Sequence, residues 1–287
     1  MDRQTEITTP GALLNEKGDL ARPGFSRALV QEYRRADVKV SPLRIKEWDY
    51  YLVNNGKFAL ALTVADNGYM GLDSVSLLDL EEGWEITKSP MSFLPLGKKH
   101  LPETSVTGDV HSAARGYGIH FIHEGNKRVL IAYMNKFGES ALSARVELTE
   151  CPEDSLVIAT PFDKPGHFYY NQKIVGFRAS GYVNYNGKTY TFEPSDSFAV
   201  LDWGRGVWTY HNTWYWGSAS GELDGAPFGW NIGYGFGNTS AATENVLFYD
   251  GKIHKLGEVK FEIPMDEDGF EDFMKPWVFT SDDNRFY

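Results

Sequence analysis

The chain contains 287 residues with a net charge of −11 at pH 7, and its hydrophobic fraction of 42% is ordinary for a globular protein. Binding of nucleic acid needs clustered lysine and arginine, so an acidic chain without a block of basic residues excludes nucleic acid as a partner. A single cysteine, Cys151, excludes an intramolecular disulfide and a cysteine-based zinc site. We expect neither a metal site nor a bound cofactor.

The N-terminal segment, MDRQTEITTPGALLNEKGDL, lacks the basic start and the apolar run of a signal peptide. No apolar stretch approaches the ~18 residues that a membrane span needs. We therefore expect a cytoplasmic protein without a membrane span. The sequence predicts no particular oligomeric state.

Aromatic residues make up 15% of the chain, and 29 residues are glycine. This combination favours strands joined by tight turns, because aromatic side chains fit a pleated sheet and glycine adopts the positive φ angles of turns. Helical periodicity is rare. The best example is SRALVQEYRR, residues 26–35, for which we predict a short helix.

Turn dipeptides divide the chain into hairpins. Asn55-Gly56 separates WDYYLVN from KFALALTV, and a further hairpin is predicted around Gly125-Asn126. Asn186-Gly187 and Asp250-Gly251 each lie between two strand-like segments. Because Asn-Gly and Asp-Gly pairs suit the type I′ turn, the strands should be antiparallel. We predict an all-β fold with less than about 10% helix.

A polar segment that contains a proline, TECPEDS at residues 149–155, is the best candidate for a domain boundary. Strand signals sufficient for one sandwich or barrel precede it, and the pattern begins again after it. We predict two antiparallel β-sandwich or lipocalin-like barrel units in tandem, an N-terminal unit of residues 1–150 and a C-terminal unit of residues 151–287.

Four of the eight tryptophans lie in DWGRGVWTYHNTWYWGSASG, residues 202–221. A strand over residues 207–218 would place Trp208, Trp214 and Trp216 on one face. Large aromatic side chains on one face form either the hydrophobic core of a sheet or the wall of a ligand cavity. The sequence leaves both alternatives open.

The next predicted strand, GWNIGYGFG at residues 229–237, has glycines on one face and Trp230 among the apolar residues of the other face. A strand face built of glycine indicates close approach by a bulky group. That group is either a ligand or the aromatic wall of the preceding strand.

Ionisable side chains border the aromatic segment. Asp202 and Arg205 flank Trp203, and the glycines at 204 and 206 predict a bulge there. An Asp202–Arg205 pair would either brace this corner or serve a ligand, and it would keep Asp202 ionised. Glu244 has no adjacent cation in the sequence and is therefore the better candidate for a general acid.

Polar and aromatic residues of neighbouring segments complete the candidate site, although polar groups at strand ends are usually satisfied structurally. The candidate catalytic residues are Asp202, Arg205, His211 and Glu244. The candidate ligand-binding residues are Trp203, Trp208, Trp214, Trp216, Tyr170, Asn171, Trp230 and Asn245.

Five separated segments, KEWDYY, GHFYYNQK, DWGRGVW, GYGFGNTSAATEN and FYDGKIHKL, resemble a bacterial family of domains of unknown function, DUF2804, over nearly the whole chain. Members of that family continue for several strands beyond the point at which this sequence stops. The resemblance therefore implies a last sheet that is incomplete or closed differently.

More distantly, the glycine-turned corner before an aromatic strand resembles the carotenoid hydratase, plant-type tocopherol cyclase and AttH-like proteins. That resemblance implies two tandem lipocalin-like barrels with an apolar ligand cavity. LDWGRG departs from the pattern of those proteins, because no residue separates Asp202 from Trp203.

Three functions are compatible with these patterns. The first is binding, or transformation by acid catalysis, of a sizeable apolar lipid-like or isoprenoid-like molecule in an aromatic-lined cavity. The second is binding or hydrolysis of carbohydrate on aromatic platforms, with Asp202 and Glu244 as the carboxylate pair. The third is a structural module without a small ligand, whose aromatic wall is entirely core. A closed apolar cavity favours the first, and two carboxyls in an open groove favour the second.

Overall fold

The computed structural model describes residues 4–287, which form 22 strands and two short 3-10 helices, Arg35–Asp37 and Pro42–Arg44. Strand accounts for 55% and helix for 2% of the residues. The predicted all-β fold is confirmed, and its pairings are antiparallel apart from the short β1–β3 pair. The strands are β1 (Gly11–Ala12), β2 (Gly24–Ser26), β3 (Gln31–Glu32), β4 (Lys46–Asn54), β5 (Phe58–Asp66), β6 (Met70–Asp79), β7 (Trp84–Lys88), β8 (Met91–Phe93), β9 (Val110–Ala114), β10 (Tyr117–Glu124), β11 (Lys127–Phe137), β12 (Ser140–Thr149), β13 (Leu156–Pro161), β14 (Phe168–Tyr185), β15 (Lys188–Phe192), β16 (Phe198–Val207), β17 (Tyr215–Leu223), β18 (Ala226–Tyr234), β19 (Val246–Tyr249), β20 (Lys252–Lys255), β21 (Val259–Glu262) and β22 (Val278–Ser281).

One large sheet contains most of these strands. Its main order is β7-β6-β5-β4-β16-β14-β12-β11-β10-β9, and β2, β8, β13 and β15 extend it through side pairings. A second sheet has the order β17-β18-β19-β20. Because β16 lies between β4 and β14, strands from both sides of residue 150 share one sheet. The division into units of residues 1–150 and 151–287 stays a prediction.

The predicted hairpin turns join consecutive strands. Asn186 and Gly187, between β14 and β15, have φ angles of 49° and 74°, and Asp250 and Gly251, between β19 and β20, have 47° and 75°. Both pairs have the two successive positive φ angles of a type I′ turn. The hairpins β4–β5 and β10–β11 also form as predicted, but only their glycines, at 56 and 125, have positive φ.

The predicted helix at residues 26–35 is wrong. β2 ends at Ser26, β3 covers Gln31–Glu32, and a 3-10 turn starts at Arg35. β2 pairs with β13 and β3 pairs with β1, so the segment is extended. Tertiary packing overrides the weak helical pattern, because Tyr33 is buried in the main core.

The predicted strand over residues 207–218 is also wrong in its first part. β16 ends at Val207 and β17 begins only at Tyr215. The side chain of Thr209 donates to Asn212 Oδ1 (2.9 Å), and Asn212 Nδ2 donates back to the Thr209 carbonyl (2.6 Å). These local side-chain bonds compete with a strand ladder and close a loop instead.

The bulge predicted at Gly204 and Gly206 is absent, since β16 pairs with β4 in regular register from Phe198 to Gly206. The irregularity lies in the neighbouring strand β14, between Val175 and Phe177. Gly204 has a different role. A Cβ at this position would lie 2.1 Å from a ring carbon of Trp48, so only glycine leaves enough space for the Trp48 indole to pack against the strand.

Two hydrophobic cores lie on opposite faces of the large sheet. Leu201 and Trp203 of β16 belong to the first core, whereas Val200 belongs to the second. Alternate residues of a strand point to opposite faces, which explains the division. The second core also contains Phe248 and Ile253 of the second sheet. Among residues 4–287, no helix has the length and apolarity needed to cross a membrane.

Candidate functional site

The register of the central strands places several functional side chains on one face of the large sheet. Asp202 on β16 lies opposite both Lys173 on β14 and Tyr50 on β4. Tyr50 in turn lies opposite Thr63 on β5. Paired residues project from the same face, so these four side chains form one row on the side of the second core.

A cavity of about 460 Å³ lies on this face. Its other side is covered by the segment of residues 208–216 together with Phe236 and Glu244. Seven of its 13 lining residues are aromatic, and the volume is within the range of small-molecule sites. The lining residues are Trp48, Tyr50, Thr63, Asn67, Leu72, Tyr169, Lys173, Asp202, Trp208, Trp214, Trp216, Phe236 and Glu244.

Aromatic contacts hold the cavity wall in shape. The ring centroid of Phe236 lies 4.8 Å from that of Tyr169, 5.4 Å from Trp208 and 5.2 Å from Trp214. Trp48 stacks on Tyr169 at 5.9 Å. Edge-to-face and offset contacts at these separations are attractive, so the wall is preformed.

A buried lysine lies at the polar end of the cavity. Lys173 Nζ is 2.9 Å from Asp202 Oδ2 and 3.8 Å from Glu244 Oε2, and the lysine side chain is only 2% exposed. Asn171 Nδ2 donates to the second Asp202 oxygen at 2.6 Å. The ammonium also lies 4.8 Å from the ring centroid of Trp216. Asp202 therefore has two donors, the arrangement of a charged carboxylate.

The two carboxyl groups have different environments. Burial raises the pKa of Glu244 above its ordinary value of 4.5, and the negative charge of Asp202 raises it further. Lys173 and the hydrogen bond from Asn231 oppose this shift in the pKa, but burial is the largest effect. Burial thus favours the protonated form of Glu244, whereas the two donors at Asp202 favour a charged carboxylate there.

The glycine face of β18 accommodates Glu244. A Cβ at Gly233 would lie 2.4 Å from Glu244 Oε1. Asn231 supports the same residue, because its Nδ2 donates to the Glu244 carbonyl at 2.8 Å while its Oδ1 accepts from Trp216 Nε1 at 2.7 Å. The bulky group that approaches this strand is thus the glutamate side chain itself.

Tyr50 closes the row beside Asp202. Burial, followed by the negative charge of Asp202, raises the pKa of the phenol to about 12. Its ring meets Trp216 edge-to-face at 6.2 Å. The hydroxyl therefore stays protonated at neutral pH and can donate a hydrogen bond into the cavity.

The sequence model of the family described as Domain of unknown function (DUF2804) matches residues 4–287. The chain belongs to this family. Its recognition from the five quoted segments is thereby confirmed.

No functionally curated protein matches this DUF2804 chain. Similar solved structures include an AttH-like protein from Nitrosomonas europaea, with 12% identity and a TM-score of 0.49 over 83% of this chain and 77% of that one. Kievitone hydratase from Nectria haematococca has 10% identity and a TM-score of 0.45 over 83% and 72%. CghA has 12% identity and a TM-score of 0.46 over 91% and 76%.

The DUF2804 cavity brings together five of the residues selected from the sequence, since Asp202, Trp208, Trp214, Trp216 and Glu244 all line it. Two further predicted residues do not line the cavity but form hydrogen bonds that support it. Asn171 bonds Asp202, and Asn245 Oδ1 accepts from the Gly233 backbone at 2.8 Å. Whether any of them contacts a ligand stays a prediction.

Other predicted residues lie elsewhere. Arg205 projects from the opposite face of β16 and pairs with Asp49 at 2.9 Å, so the cation beside Asp202 is Lys173 and not Arg205. Trp203 and Tyr170 are buried in the first core. His211 is exposed in the loop after β16, and the ring of Trp230 packs against Phe286 at 5.5 Å.

Eight lining residues were missed by the sequence prediction. Four of them lie on two strands that carry quoted motifs. KEWDYY contains Trp48 and Tyr50, and GHFYYNQK contains Tyr169 and Lys173. Their alternation would have indicated a shared face within each strand. Phe236 belongs to the glycine-rich segment and follows the end of β18. The other three missed residues, Thr63, Asn67 and Leu72, lie on β5, on β6 or in the turn between them.

A larger cleft of about 720 Å³ lies beside Lys255 and Asp283. Burial lowers the pKa of Lys255 to about 7. Its ammonium is already bonded to the carbonyls of Thr243 (2.6 Å) and Asn245 (2.7 Å). These bonds are structural, so the aromatic cavity is the better candidate for a site.

Proposed function

We propose that the protein binds an apolar, unsaturated molecule of lipid or isoprenoid type in the aromatic cavity and transforms it by acid catalysis. The observation that carries the proposal is Glu244, a buried carboxyl with a raised pKa that faces an aromatic wall. A carboxyl that stays protonated in a dry site is suited to protonate a weak base such as a carbon–carbon double bond.

In the proposed reaction, Glu244 donates its proton to one carbon of the double bond. The π electrons form the new C–H bond and leave a positive charge on the other carbon. The faces of Trp208, Trp214 and Trp216 stabilise this charge through cation–π attraction, and the carboxylate of Asp202 does so through its negative charge. Water or a second double bond of the substrate then attacks the cation, and the proton that is released returns to Glu244.

Lys173 gives the two carboxyls separate roles. It lies closer to Asp202 than to Glu244, so it pairs mainly with Asp202 and leaves the glutamate as the proton donor. Tyr50 lies beside Asp202 in the sheet, and its protonated hydroxyl can position a water molecule.

Carbohydrate hydrolysis is less well supported. A glycosidase places its two carboxyls on either side of the scissile bond. Here the ammonium of Lys173 occupies the space between Asp202 and Glu244. The mainly aromatic lining likewise favours an apolar ligand over a sugar.

Replacement of Trp214 by alanine should weaken binding of farnesol, a soluble test isoprenoid, about tenfold. Trp214 lines the cavity from an exposed loop, so its loss removes contact area without disturbing a core. Tryptophan fluorescence during a farnesol titration measures the affinity. Trp84→Ala, in β7 outside the cavity, is the matched control and should bind as the wild type does. Equal affinities of both variants would remove the support for this cavity as the binding site.

The pH dependence of turnover should follow the protonation of the Glu244 carboxyl. Because burial raises the pKa of this carboxyl above 4.5, the acid form is fully present below that pH and is lost as the pH rises through the raised pKa. Turnover at saturating substrate should therefore fall with rising pH. The folded protein should also lose stability relative to Glu244→Gln over the same interval, since folding binds this proton. Melting temperatures of both proteins across the interval provide the check, and a constant difference would contradict it.

A further inference from the structure

An exposed apolar segment continues the cavity face beyond its edge. Met91 on β8 lies directly opposite Leu72, which lines the cavity, and Phe93 lies opposite Met70. Since paired residues project from one face, Met91 and Phe93 extend the lining outward. Their side chains are nevertheless 64% and 89% exposed.

The backbone presents two more leucines to solvent at this edge. Leu94 and Leu96 are exposed and have φ angles of 49° and 52°, a conformation that branched apolar residues rarely adopt. Hydrogen bonds from their amides to the carbonyls of Tyr69 and Gly68, at 3.1 and 3.2 Å, hold them in it. An ordered loop that displays leucine in an unfavourable conformation indicates a functional constraint.

We use the name apolar lip for the exposed group formed by Tyr69, Met91, Phe93, Leu94 and Leu96. A contiguous exposed apolar surface of this kind marks a contact with a protein or a membrane. The charges around it distinguish between the two.

The segments around the apolar lip are rich in cations, in contrast to the rest of the chain. Residues 38–46 and 86–102 contain six lysine or arginine residues and no aspartate or glutamate, although acidic residues outnumber basic ones 39 to 28 overall. One of the six, Lys99, is paired with the buried Asp73 at 2.7 Å, which leaves five to face a partner.

The two segments come together at Gly68. A Cβ there would lie 2.4 Å from the Pro42 carbonyl, and the Gly68 carbonyl accepts from the Leu96 amide at 3.2 Å. Lys46 Nζ lies 5.0 Å from the ring centroid of Tyr69.

We infer that the apolar lip inserts into the surface of an anionic lipid bilayer while the surrounding cations contact lipid phosphates. Apolar and aromatic side chains framed by lysine and arginine are the combination that binds such surfaces. Because Met91 lies opposite the lining residue Leu72, insertion of the apolar lip would bring the edge of the cavity to the bilayer surface. The purpose of this docking, passage of an apolar ligand between bilayer and cavity, rests on the proposed function.

Sedimentation with lipid vesicles tests the inference with the full chain and without any ligand or turnover. The wild type should sediment with phosphatidylcholine vesicles that contain phosphatidylglycerol, and much less with phosphatidylcholine alone or at high salt. Phe93→Ser combined with Leu96→Ser should reduce the partition coefficient at least tenfold. Glu244→Gln should bind vesicles as the wild type does, so failure of docking and failure of catalysis are distinguishable.

The matched control is Phe270→Ser combined with Leu223→Ser, which removes two exposed apolar side chains outside the apolar lip. It should bind vesicles as the wild type does. Failure of the wild type to sediment with anionic vesicles would overturn the inference, as would equal binding of the two double variants. A dimer or protein complex that the Phe93→Ser/Leu96→Ser variant loses, without vesicle binding by the wild type, would assign the surface to a protein partner instead.

Discussion

Replacement of Lys173 by methionine will lower the free energy of unfolding by about 3–5 kcal/mol. The lysine is 2% exposed and contacts Asp202 at 2.9 Å and Glu244 at 3.8 Å. Its removal leaves the Asp202 carboxylate, whose side chain is only 15% exposed, without its cation, and desolvation of an unpaired charge is the large cost. Methionine keeps most of the side-chain volume, so the effect reports the lost charge and not a cavity.

Chemical denaturation followed by tryptophan fluorescence measures this change. Lys260→Met is the matched control, because Lys260 forms a 2.6 Å ion pair with Glu262 in which the side chains are 71% and 47% exposed, and exposed pairs contribute at most about 1 kcal/mol. Combining Lys173→Met with Asp202→Asn should recover part of the loss, since no uncompensated charge then remains. A loss in Lys173→Met no larger than that in Lys260→Met would show that Asp202 does not depend on this partner.

The second large effect is expected from Glu244→Gln. If Glu244 is the proton donor, the variant should lose turnover by at least about 10²-fold, the usual contribution of a general acid. Binding should persist, because glutamine keeps the shape of the side chain and its contact with Asn231. The melting temperature should not decrease, since the amide resembles the protonated carboxyl that burial favours.

Substrate depletion and binding must be measured on the same preparation to interpret this variant. The matched control is Glu258→Gln, at an exposed glutamate outside the aromatic cavity, which should leave turnover unchanged. A carrier would bind its ligand equally well before and after the Glu244 change and would turn over none. Full activity of Glu244→Gln would exclude it as the acid.

Local signals in the sequence predicted the strands and turns of this fold. Asn186-Gly187 and Asp250-Gly251 form the expected turns because the required φ angles are a property of the residues themselves. The loop after β16 was not predicted, because Trp208 and Trp214 alternate like strand residues but pack around Phe236. Their final position depends on a side chain more than 20 residues further along the chain.

The composition of the site was only partly predictable for a similar reason. Asp202 and Glu244 were selected from their local setting, whereas Lys173 was not, because its pairing with Asp202 depends on the register between β14 and β16. Strand geometry that the sequence does not reveal also explains why the expected Asp202–Arg205 pair is wrong. In a regular strand, residues three apart project from opposite faces, and only a bulge would have brought them together.

The most direct test of the proposed function is deuterium transfer. The apolar molecule that co-purifies with Glu244→Gln is extracted, identified by mass spectrometry and incubated with the wild type in D₂O. Protonation of a carbon–carbon double bond by Glu244 predicts a product with one deuterium on carbon that does not wash out in H₂O. Recovery of the molecule unchanged, or a product without carbon-bound deuterium, would contradict acid catalysis in the aromatic cavity.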